Sequence, residues 1–303
     1  MRVHFNGSLV EADEARVSVF DRGFLFGDGV YEGLRTTAGR DGVPRVIGLW
    51  HHEQRLAEGL RECRLSGFDA ASLGPLTEEL VRGSGLVEAF VYWQITRGTP
   101  AGAAGPERPR VPRGPIRPTV LGYATAVRPV AQCTEPEVKR VALRPDTRWL
   151  RGHVKSISLL GGVLAAFEAD ELGCDDAVMV RDGLVTEGTA TNVFLHDGRS
   201  FVTPSLESAP MLAGVTRRLL VDHGVGGAAV VERPVREAEL RAAPEVMLVG
   251  TKTMVASVVS IDGAAVGDGR PGPRARELLA ALVEAVGRDV NSAGSAARSV
   301  ARV

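Results

Sequence analysis

Residues 148–156 read RWLRGHVKS, and they place Lys155 immediately before the apolar stretch from Leu159 to Phe167. Lysine is scarce in this chain: the others are Lys139 and Lys252, and nearly all the remaining positive charge is arginine. The apolar stretch predicts a helix packed on the core, and a cation at the start of a helix is unfavourable because it opposes the helix dipole. The pattern therefore indicates a lysine with a functional role, as a nucleophilic amine. On local sequence alone, a surface lysine at a helix start remains the alternative.

A second stretch, residues 184–194 (LVTEGTATNVF), places an acid among small hydroxyl-bearing residues. The pattern predicts a strand that ends near Glu187 and a turn that begins at Gly188. A glutamate at a turn is common in purely structural roles, so Glu187 alone decides nothing. The threonines around it favour a ligand-binding role, because hydroxyl groups both donate and accept hydrogen bonds.

Two further stretches suit an anion such as a phosphate or a carboxylate. Residues 212–217 (LAGVTR) predict the start of a helix, where backbone N–H groups without helical partners bind anions. Arg217 would lie in the first turn, which is unfavourable unless an anion is near. Residues 250–253 (GTKT) follow a predicted strand and carry two threonine hydroxyls. Ordinary helix starts have the same pattern, so a helix start without a ligand remains open for residues 212–217.

Composition argues against several classes of function. Hydrophobic residues make up 44% and charged residues 24% of the chain, which is typical of a soluble globular protein. The formal net charge of −1 gives no overall field that would hold nucleic acid or an anionic membrane. The longest apolar run is too short to span a bilayer, and no signal-peptide pattern opens the chain. The three cysteines are widely spaced and the six histidines scattered, so we expect a cytoplasmic protein without a metal site.

The order of predicted elements indicates two α+β domains. Strands and helices mix along both halves of the chain, beginning with a hairpin signal at Asn6-Gly7. A polar stretch with two prolines is the best candidate for a linker between the halves, and the small and polar residues at the end of the chain are expected to fray. The predicted division is an N-terminal α+β domain at 1–126, a linker at 127–136, a C-terminal domain at 137–290 and a disordered tail at 291–303.

Five motifs in order resemble one known family, the fold-type IV enzymes that use pyridoxal 5′-phosphate (PLP) and that include the class IV aminotransferases. The motifs are 21–23 (DRG), 26–32 (FGDGVYE), 92–99 (YWQITRGT), 148–161 (RWLRGHVKSISLLG) and 186–194 (TEGTATNVF). The resemblance covers the chain from about Phe5 to about Ile261. It implies the two-domain α+β fold of the D-amino acid aminotransferases, PLP bound in the C-terminal domain, and a homodimer that acts on small amino acids and keto acids.

The resemblance also implies a role for each matching residue. Its matches at the cofactor are Lys155 (Schiff base and proton transfer), Glu187 (pyridine nitrogen), Arg148 (phenolate oxygen) and Arg55, Val215, Thr216 and Thr251 (phosphate). Tyr31 matches a residue that lines the substrate pocket. Lys252, in the turn after Thr251, is a further candidate for substrate binding.

The motif YWQITRG is most similar to that of the D-amino acid transaminases. We therefore expect transfer of an amino group from a D-amino acid such as D-alanine to a 2-oxo acid such as 2-oxoglutarate. Three alternatives keep the cofactor: an aminotransferase for branched-chain L-amino acids, one for (R)-amines, and an aminodeoxychorismate lyase. A fourth is a non-catalytic member that only binds a phosphate ligand.

The chain departs from the D-amino acid enzymes after residue 99. Those enzymes hold the substrate carboxylate with an arginine and a histidine shortly after the RGT motif, whereas an ungapped count reaches Gly102 and Ala104 here. Arginines of the longer loop can supply a replacement guanidinium, a group that binds carboxylates through two parallel hydrogen bonds. The candidates are Arg108, Arg110 and Arg113, with solvated loop charges as the alternative.

Overall fold

A computed structural model describes residues 1–100 and 108–292, and it separates the chain into two compact units. The first unit comprises Met1–Val127 together with the short segment Val154–Leu159. The second comprises Arg128–His153 and the chain from Leu160 onward. Among the described residues, no helix is long and apolar enough to cross a bilayer.

The first unit is a six-stranded antiparallel sheet with helices packed on one face. Its elements are β1 (Arg2–Phe5), β2 (Ser8–Glu11), α1 (Arg22–Phe26), β3 (Gly29–Ala38), β4 (Pro44–Val46), α2 (Leu49–Glu62), α3 (Leu73–Gly83), β5 (Ala89–Pro100) and β6 (Ile116–Ala126). The strand order is β2-β1-β6-β5-β3-β4. All five pairings are antiparallel.

Alternation along β5 decides which side chains face the helices. Val91, Trp93 and Ile95 are buried in a core with residues of α2 and α3, because successive side chains of a strand point to opposite faces. The indole N–H of Trp93 donates to the Thr77 hydroxyl at 2.9 Å, which satisfies the one polar atom of that side chain. Tyr92 consequently lies on the opposite face of the sheet, away from the core.

The second unit is built on a nine-stranded mixed sheet. Its elements are β7 (Glu137–Pro145), α4 (Leu160–Glu171), β8 (Asp176–Arg181), β9 (Leu184–Gly188), β10 (Asn192–His196), β11 (Phe201–Pro204), α5 (Val215–His223), β12 (Val231–Arg233), α6 (Glu237–Ala242), β13 (Glu245–Gly250), β14 (Met254–Ile261), β15 (Ala264–Ala265) and α7 (Pro273–Ser292). The order is β12-β11-β10-β13-β14-β7-β8-β9, with β15 beside β14. Strand β7 pairs in parallel with both β14 and β8.

These elements confirm the expected α+β fold. The chain passes from the first unit to the second after Val127, inside the segment predicted as a linker. The sequence-based division placed all of 137–290 in one domain, whereas residues 154–159 pack with the first unit. Helix α7 runs to Ser292, so the predicted tail begins inside this helix, and the rest of that tail lies outside the described residues.

The FGDG motif forms a brace at the start of β3. The Asp28 carboxylate accepts from Nε of Arg22 at 2.8 Å, and from Nε and Nη2 of Arg97 at 2.7 and 2.9 Å. Arg97 also donates to the carbonyls of Cys63 and Arg64, each at 2.6 Å. Burial alone would raise the pKa of Asp28, but the two arginines together hold it below its ordinary value. The motif thereby ties α1, β5 and the end of α2 to one carboxylate.

We expect Asp28→Asn to destabilise the protein, because removing one partner of a largely buried ion pair costs about 3 kcal/mol. The measurement is the midpoint of urea unfolding followed by circular dichroism. Asp41→Asn is the matched control, since Asp41 pairs with Arg45 at the surface. A midpoint for Asp28→Asn equal to that of the control would contradict the brace.

Candidate active site

The segment that carries Lys155 is held against the start of β3. Residues Val30 and Ser156 form a β-bridge, the backbone N–H of Tyr31 donates to the Lys155 carbonyl at 3.0 Å, and that of Ile157 donates to the Gly29 carbonyl at 3.1 Å. These bonds fix the backbone on both sides of Lys155. The Lys155 amine lies 4.2 Å from the centroid of the Tyr31 ring. The structure therefore brings together two residues that the motifs placed at the cofactor and the substrate.

Tyr31 opens a row of three tyrosines on the face of the sheet opposite the core. Its ring centroid lies 5.6 Å from that of Tyr92, which in turn stacks on Tyr123 at 5.2 Å. Burial, followed by the neighbouring phenols, raises the pKa of Tyr92 well above its ordinary value. The Tyr92 hydroxyl donates to Gln94 Oε1 at 2.9 Å. The row presents a half-buried aromatic surface beside the lysine.

Arg55, the expected phosphate ligand, is paired with a buried acid. Its Nε donates to Oε1 of Glu32 at 2.8 Å and its Nη2 to Oε2 at 2.7 Å. Nδ1 of His52 lies 2.7 Å from the same Oε2. Burial opposes the charge on Glu32, but Arg55 and His52 outweigh it and lower the pKa of that carboxyl to about 2. The motifs did not assign His52, whose one signal is its position three residues before Arg55 on one face of α2.

Glu187 lies at the end of β9 with several donors on one carboxylate. Nη1 of Arg148 donates to Oε1 at 2.6 Å. The side-chain amide of Asn192 and the backbone N–H of Leu212 each donate to Oε2 at 3.2 Å. The side chain is 7% exposed. These contacts hold the Glu187 carboxylate in place at the end of β9.

Arg148, expected at the phenolate oxygen, is bound by a second carboxylate as well. Its Nε and Nη2 donate to Oδ1 and Oδ2 of Asp146 at 2.9 and 2.8 Å. Burial favours loss of the Arg148 charge, but Asp146 and Glu187 more than reverse this and raise the pKa of the guanidinium. The motifs did not assign Asp146, because a lone acid two residues before an arginine carries no signal of its own.

The start of α5 adjoins the Glu187 carboxylate. Gly214 is the N-cap of this helix, and as a glycine it has no side chain to cap the first N–H groups, which include those of Val215 and Thr216. A Cβ at Gly214 would lie 1.9 Å from Oδ1 of Asn192, so the amide that binds Glu187 also touches the helix start. The structure thus brings the expected pyridine partner and the expected phosphate ligands together in the second unit.

Arg217 does not need a bound anion, in contrast to the expectation from its place in the first turn of α5. Its Nη2 donates to Oε2 of Glu232 at 2.5 Å and to the Pro204 carbonyl at 2.9 Å. The partner lies on β12, which is far away in the sequence. Arg217 therefore gives no support to a phosphate site. The prediction of a phosphate site at the start of α5 depends on the backbone N–H groups of its first turn alone.

A buried hydroxyl lies in the turn after Glu187. Oγ1 of Thr191 has no hydrogen-bond partner among the described residues, although it is shielded from solvent. A Cβ at Gly250 would lie 3.2 Å from Cγ2 of Thr191 and from the Ala190 carbonyl. The turn that holds Thr251 and the exposed Lys252 therefore lies beside this hydroxyl.

Two of the three arginines considered for binding the substrate carboxylate lie against α1. The guanidinium carbons of Arg108 and Arg110 are 4.8 and 5.3 Å from the Phe26 ring centroid. Arg22 lies 4.7 Å from the same ring and donates to the carbonyls of Pro109 and Arg110 at 2.7 and 2.9 Å. Arg113 is exposed. Gly102 and Ala104, where the family has its carboxylate ligands, lie outside the described residues. These contacts give the first two arginines a packing role in the first unit.

The chain is similar to aminotransferases over most of its length. Residues 29–261 match the family model for amino-transferase class IV. A D-alanine aminotransferase of Bacillus licheniformis is 33% identical over 94% of this chain and 97% of the relative. One of Staphylococcus haemolyticus is 30% identical over 91% and 95%.

Solved structures lead to the same family. A branched-chain aminotransferase of Thermoproteus uzoniensis with norvaline superposes with a TM-score of 0.82 at 26% identity, over 95% of this chain and 96% of that one. A branched-chain amino acid aminotransferase of Thermobaculum terrenum in its PLP form gives 0.81 at 25% identity, over 95% and 94%. The chain belongs to the class IV aminotransferases.

The residues of the second unit fit the chemical groups of PLP. A buried carboxylate suits a pyridine nitrogen that must stay protonated. An uncapped helix start and the unpartnered Thr191 hydroxyl suit a phosphate. The protein is therefore a PLP-dependent transaminase, as the motifs predicted.

We expect the charge on Glu32 to make stability depend on pH. Its folded pKa of about 2 lies below its ordinary value of 4.5, so the stabilisation is complete above that ordinary value and is lost as the pH falls toward the folded value. Between about pH 5 and about pH 3 this loss amounts to about 2 kcal/mol. The unfolding free energies of the wild type and of Glu32→Gln, measured by urea titration at each pH, should converge by that amount over this range. A difference that stays constant with pH would contradict the effect.

Proposed function

We propose that this enzyme transfers the amino group of a D-amino acid such as D-alanine to a 2-oxo acid such as 2-oxoglutarate. The observation that carries the chemistry is the buried Glu187 carboxylate, which is bound by Arg148 and adjoins the uncapped start of α5. The substrate class is supported by the relatives named D-alanine aminotransferase, which are at least 30% identical over more than nine-tenths of the chain.

Lys155 is the residue that we place at the reacting atoms. The Lys155 amine would hold the cofactor covalently between turnovers, and once the substrate amine has displaced it, the freed Nζ would accept the proton from the substrate α carbon. The bound cofactor supplies an electron sink for the charge that this proton leaves behind. The backbone bonds between the Lys155 segment and β3 keep the amine in one position while it moves the proton.

The other candidate residues would bind and orient the cofactor and the substrate. By the family resemblance, Glu187 would keep the ring nitrogen protonated and Arg148 would bind the phenolate oxygen. The groups that would bind the phosphate are Arg55, Val215, Thr216 and Thr251. Residues 137–290, without the Lys155 segment, form the cofactor-binding domain. Tyr31 forms one wall of the substrate pocket.

For the substrate carboxylate we propose a cation from the loop after β5 or from the turn after β13. The candidates are Arg108, Arg110, Arg113 and Lys252. Arg108 and Arg110 pack on Phe26, but an arginine stacked on an aromatic ring keeps its outer N–H groups for a carboxylate.

A second candidate function is transfer from branched-chain L-amino acids. The structures of T. uzoniensis and T. terrenum that match this chain are branched-chain aminotransferases. The D-alanine aminotransferases of B. licheniformis and S. haemolyticus are more similar to this chain, at 33% and 30% identity, and this favours the D-amino acid assignment. Activity on (R)-amines, lyase activity and simple phosphate binding are further outcomes of the same assay.

We also propose a homodimer in the cytoplasm. Helix α4 exposes large apolar side chains that water disfavours: Leu160 is 70%, Leu164 51% and Phe167 62% exposed. Leu150 and Trp149 are exposed apolar residues as well, and an exposed apolar surface of this kind is typical of a protein interface. None of the three cysteines, all within the described residues, forms a disulfide bond, which fits a reducing compartment.

A panel of donors tests the function. The purified enzyme is given 2-oxoglutarate with D-alanine, L-leucine, an (R)-amine or aminodeoxychorismate, and keto products are measured. We expect D-alanine to give the highest rate, and Lys155→Ala to reduce this rate by at least about 1000-fold, since it removes both the attachment and the proton carrier.

Lys139→Ala is the matched control, because it removes another of the three lysines and should leave the rate unchanged. Borohydride reduction followed by digestion should place the pyridoxyl group on Lys155. Strong activity with L-leucine and none with D-alanine would reject the D-amino acid assignment. A pyridoxyl group on another lysine would reject the role of Lys155.

Phe167→Asp tests the homodimer. A charge at the centre of the exposed face of α4 should weaken an apolar interface, because burying an unpaired carboxylate is costly. Size-exclusion chromatography with light scattering should give a dimer for the wild type and a monomer for the variant. Val231→Asp, at an exposed apolar residue of β12, should stay dimeric. A monomeric wild type would contradict the proposal.

A further inference from the structure

Asp146 is a buried carboxylate immediately after β7, and its side chain is fully shielded from solvent. Its Oδ1 accepts from the backbone N–H and Nε of Arg148 at 3.1 and 2.9 Å. Its Oδ2 accepts from Nη2 of Arg148 at 2.8 Å and from the Thr186 hydroxyl at 2.9 Å. Nη2 of Arg181 lies 3.1 Å from Oδ1. One carboxylate therefore holds a whole edge of the Arg148 guanidinium.

Holding that edge decides where the rest of the guanidinium points. The group is planar and rigid, so a bidentate pair on Nε and Nη2 fixes the direction of the Nη1 hydrogens. That nitrogen donates to Oε1 of Glu187 at 2.6 Å. Arg148 thus contacts Asp146 through two nitrogens and Glu187 through one.

The division of contacts matters because a bidentate guanidinium neutralises a carboxylate more strongly than a single hydrogen bond does. A Glu187 paired along a full guanidinium edge would have less charge left for another cation. Asp146 occupies the edge that would make such a pair. Burial opposes its charge, but the bonds from Arg148 and Thr186 hold the pKa of Asp146 below its ordinary value, so the carboxylate is ionised.

We propose that Asp146 is a positioning residue that takes the bidentate edge of Arg148, so that Glu187 receives one bond from Arg148 instead of two and keeps more of its charge for the ring nitrogen of the cofactor. The second half of this statement rests on the proposed function of Glu187. The first half concerns residues of the second unit alone and is tested without the cofactor.

Arg181 completes the arrangement from the other side. Its Nε and Nη2 donate to the Asp146 carbonyl at 3.1 and 2.9 Å, and Nη2 also donates to the Arg148 carbonyl at 2.6 Å. The four side chains carry two positive and two negative charges. Removing the Arg181 charge leaves Asp146 less neutralised and strengthens its hold on Arg148. Removing the Arg181 charge should therefore weaken the bond from Arg148 to Glu187, whereas removing the Asp146 charge should strengthen it.

The first experiment is the crystal structure of Asp146→Asn without cofactor. The released edge of Arg148 should turn to Glu187, so that two guanidinium nitrogens lie within hydrogen-bond distance of that carboxylate. Asp262→Asn is the matched control, because Asp262 likewise accepts from a backbone N–H, that of Leu143, and from an arginine side chain, that of Arg241. In the control Arg148 should keep one contact to Glu187. An unchanged Arg148 in Asp146→Asn overturns the proposal.

The second experiment uses enzyme loaded with PLP that carries ¹⁵N in the ring. The ¹⁵N chemical shift of the ring nitrogen should move toward the unprotonated value in Asp146→Asn and toward the protonated value in Arg181→Gln. With the best donor, kcat of Asp146→Asn should fall by about 10- to 100-fold with little change in KM, because the change acts on the transition state. Asp262→Asn should match the wild type in both readouts.

The two variants separate positioning from general damage. Shifts of the same sign in Asp146→Asn and Arg181→Gln would mean loss of structure and overturn the proposal. If Asp146→Asn does not fold, Arg181→Gln decides alone: a shift toward the protonated value supports positioning, and no shift overturns it. If Arg148 turns to Glu187 in the crystal but no ring shift follows, positioning by Asp146 stands and the proposed role of Glu187 fails.

Discussion

The contact between Arg148 and Glu187 is the interaction on which the second unit depends. Two charged side chains have left water here, and such a transfer is tolerated only when every charge is paired and hydrogen-bonded. Asp146, Arg181 and Asn192 supply the additional contacts. Because β7 is parallel to β8 and β8 pairs with β9, the residue after β7, Asp146, lies close enough to bind Thr186 of β9, the neighbour of Glu187.

The sequence predicted the fold class and the family because several short motifs occur in order. Each motif carries a local rule: alternation in β5, a glycine at the start of α5, an acid at the end of β9. Such rules operate over a few residues and are readable in the chain. They led to α+β architecture and a PLP-dependent transaminase, both of which the comparisons confirm, while the roles of single residues remain predictions.

The sequence did not reveal partners that are distant along the chain. Arg217 was expected to need an anionic ligand, but it binds Glu232 on β12. His52 and Asp146 were not assigned, because their importance comes from Glu32 and Arg148 and from burial. The Lys155 segment was assigned to the wrong compact unit, since its hydrogen bonds are made with β3. A local sequence pattern indicates the secondary structure and the chemical type of a site, but the partners of a side chain depend on residues that are distant along the chain.

The first unit is not continuous along the chain, and this limits how the protein can be dissected. A fragment that ends at Val127 would lack residues 154–159, and the Tyr31 N–H and the Gly29 carbonyl would lose their partners. The second unit cut at Arg128 would carry that segment as an unpaired loop. A separate first unit therefore requires the segment to be grafted back, for example as a short C-terminal extension joined through a flexible linker.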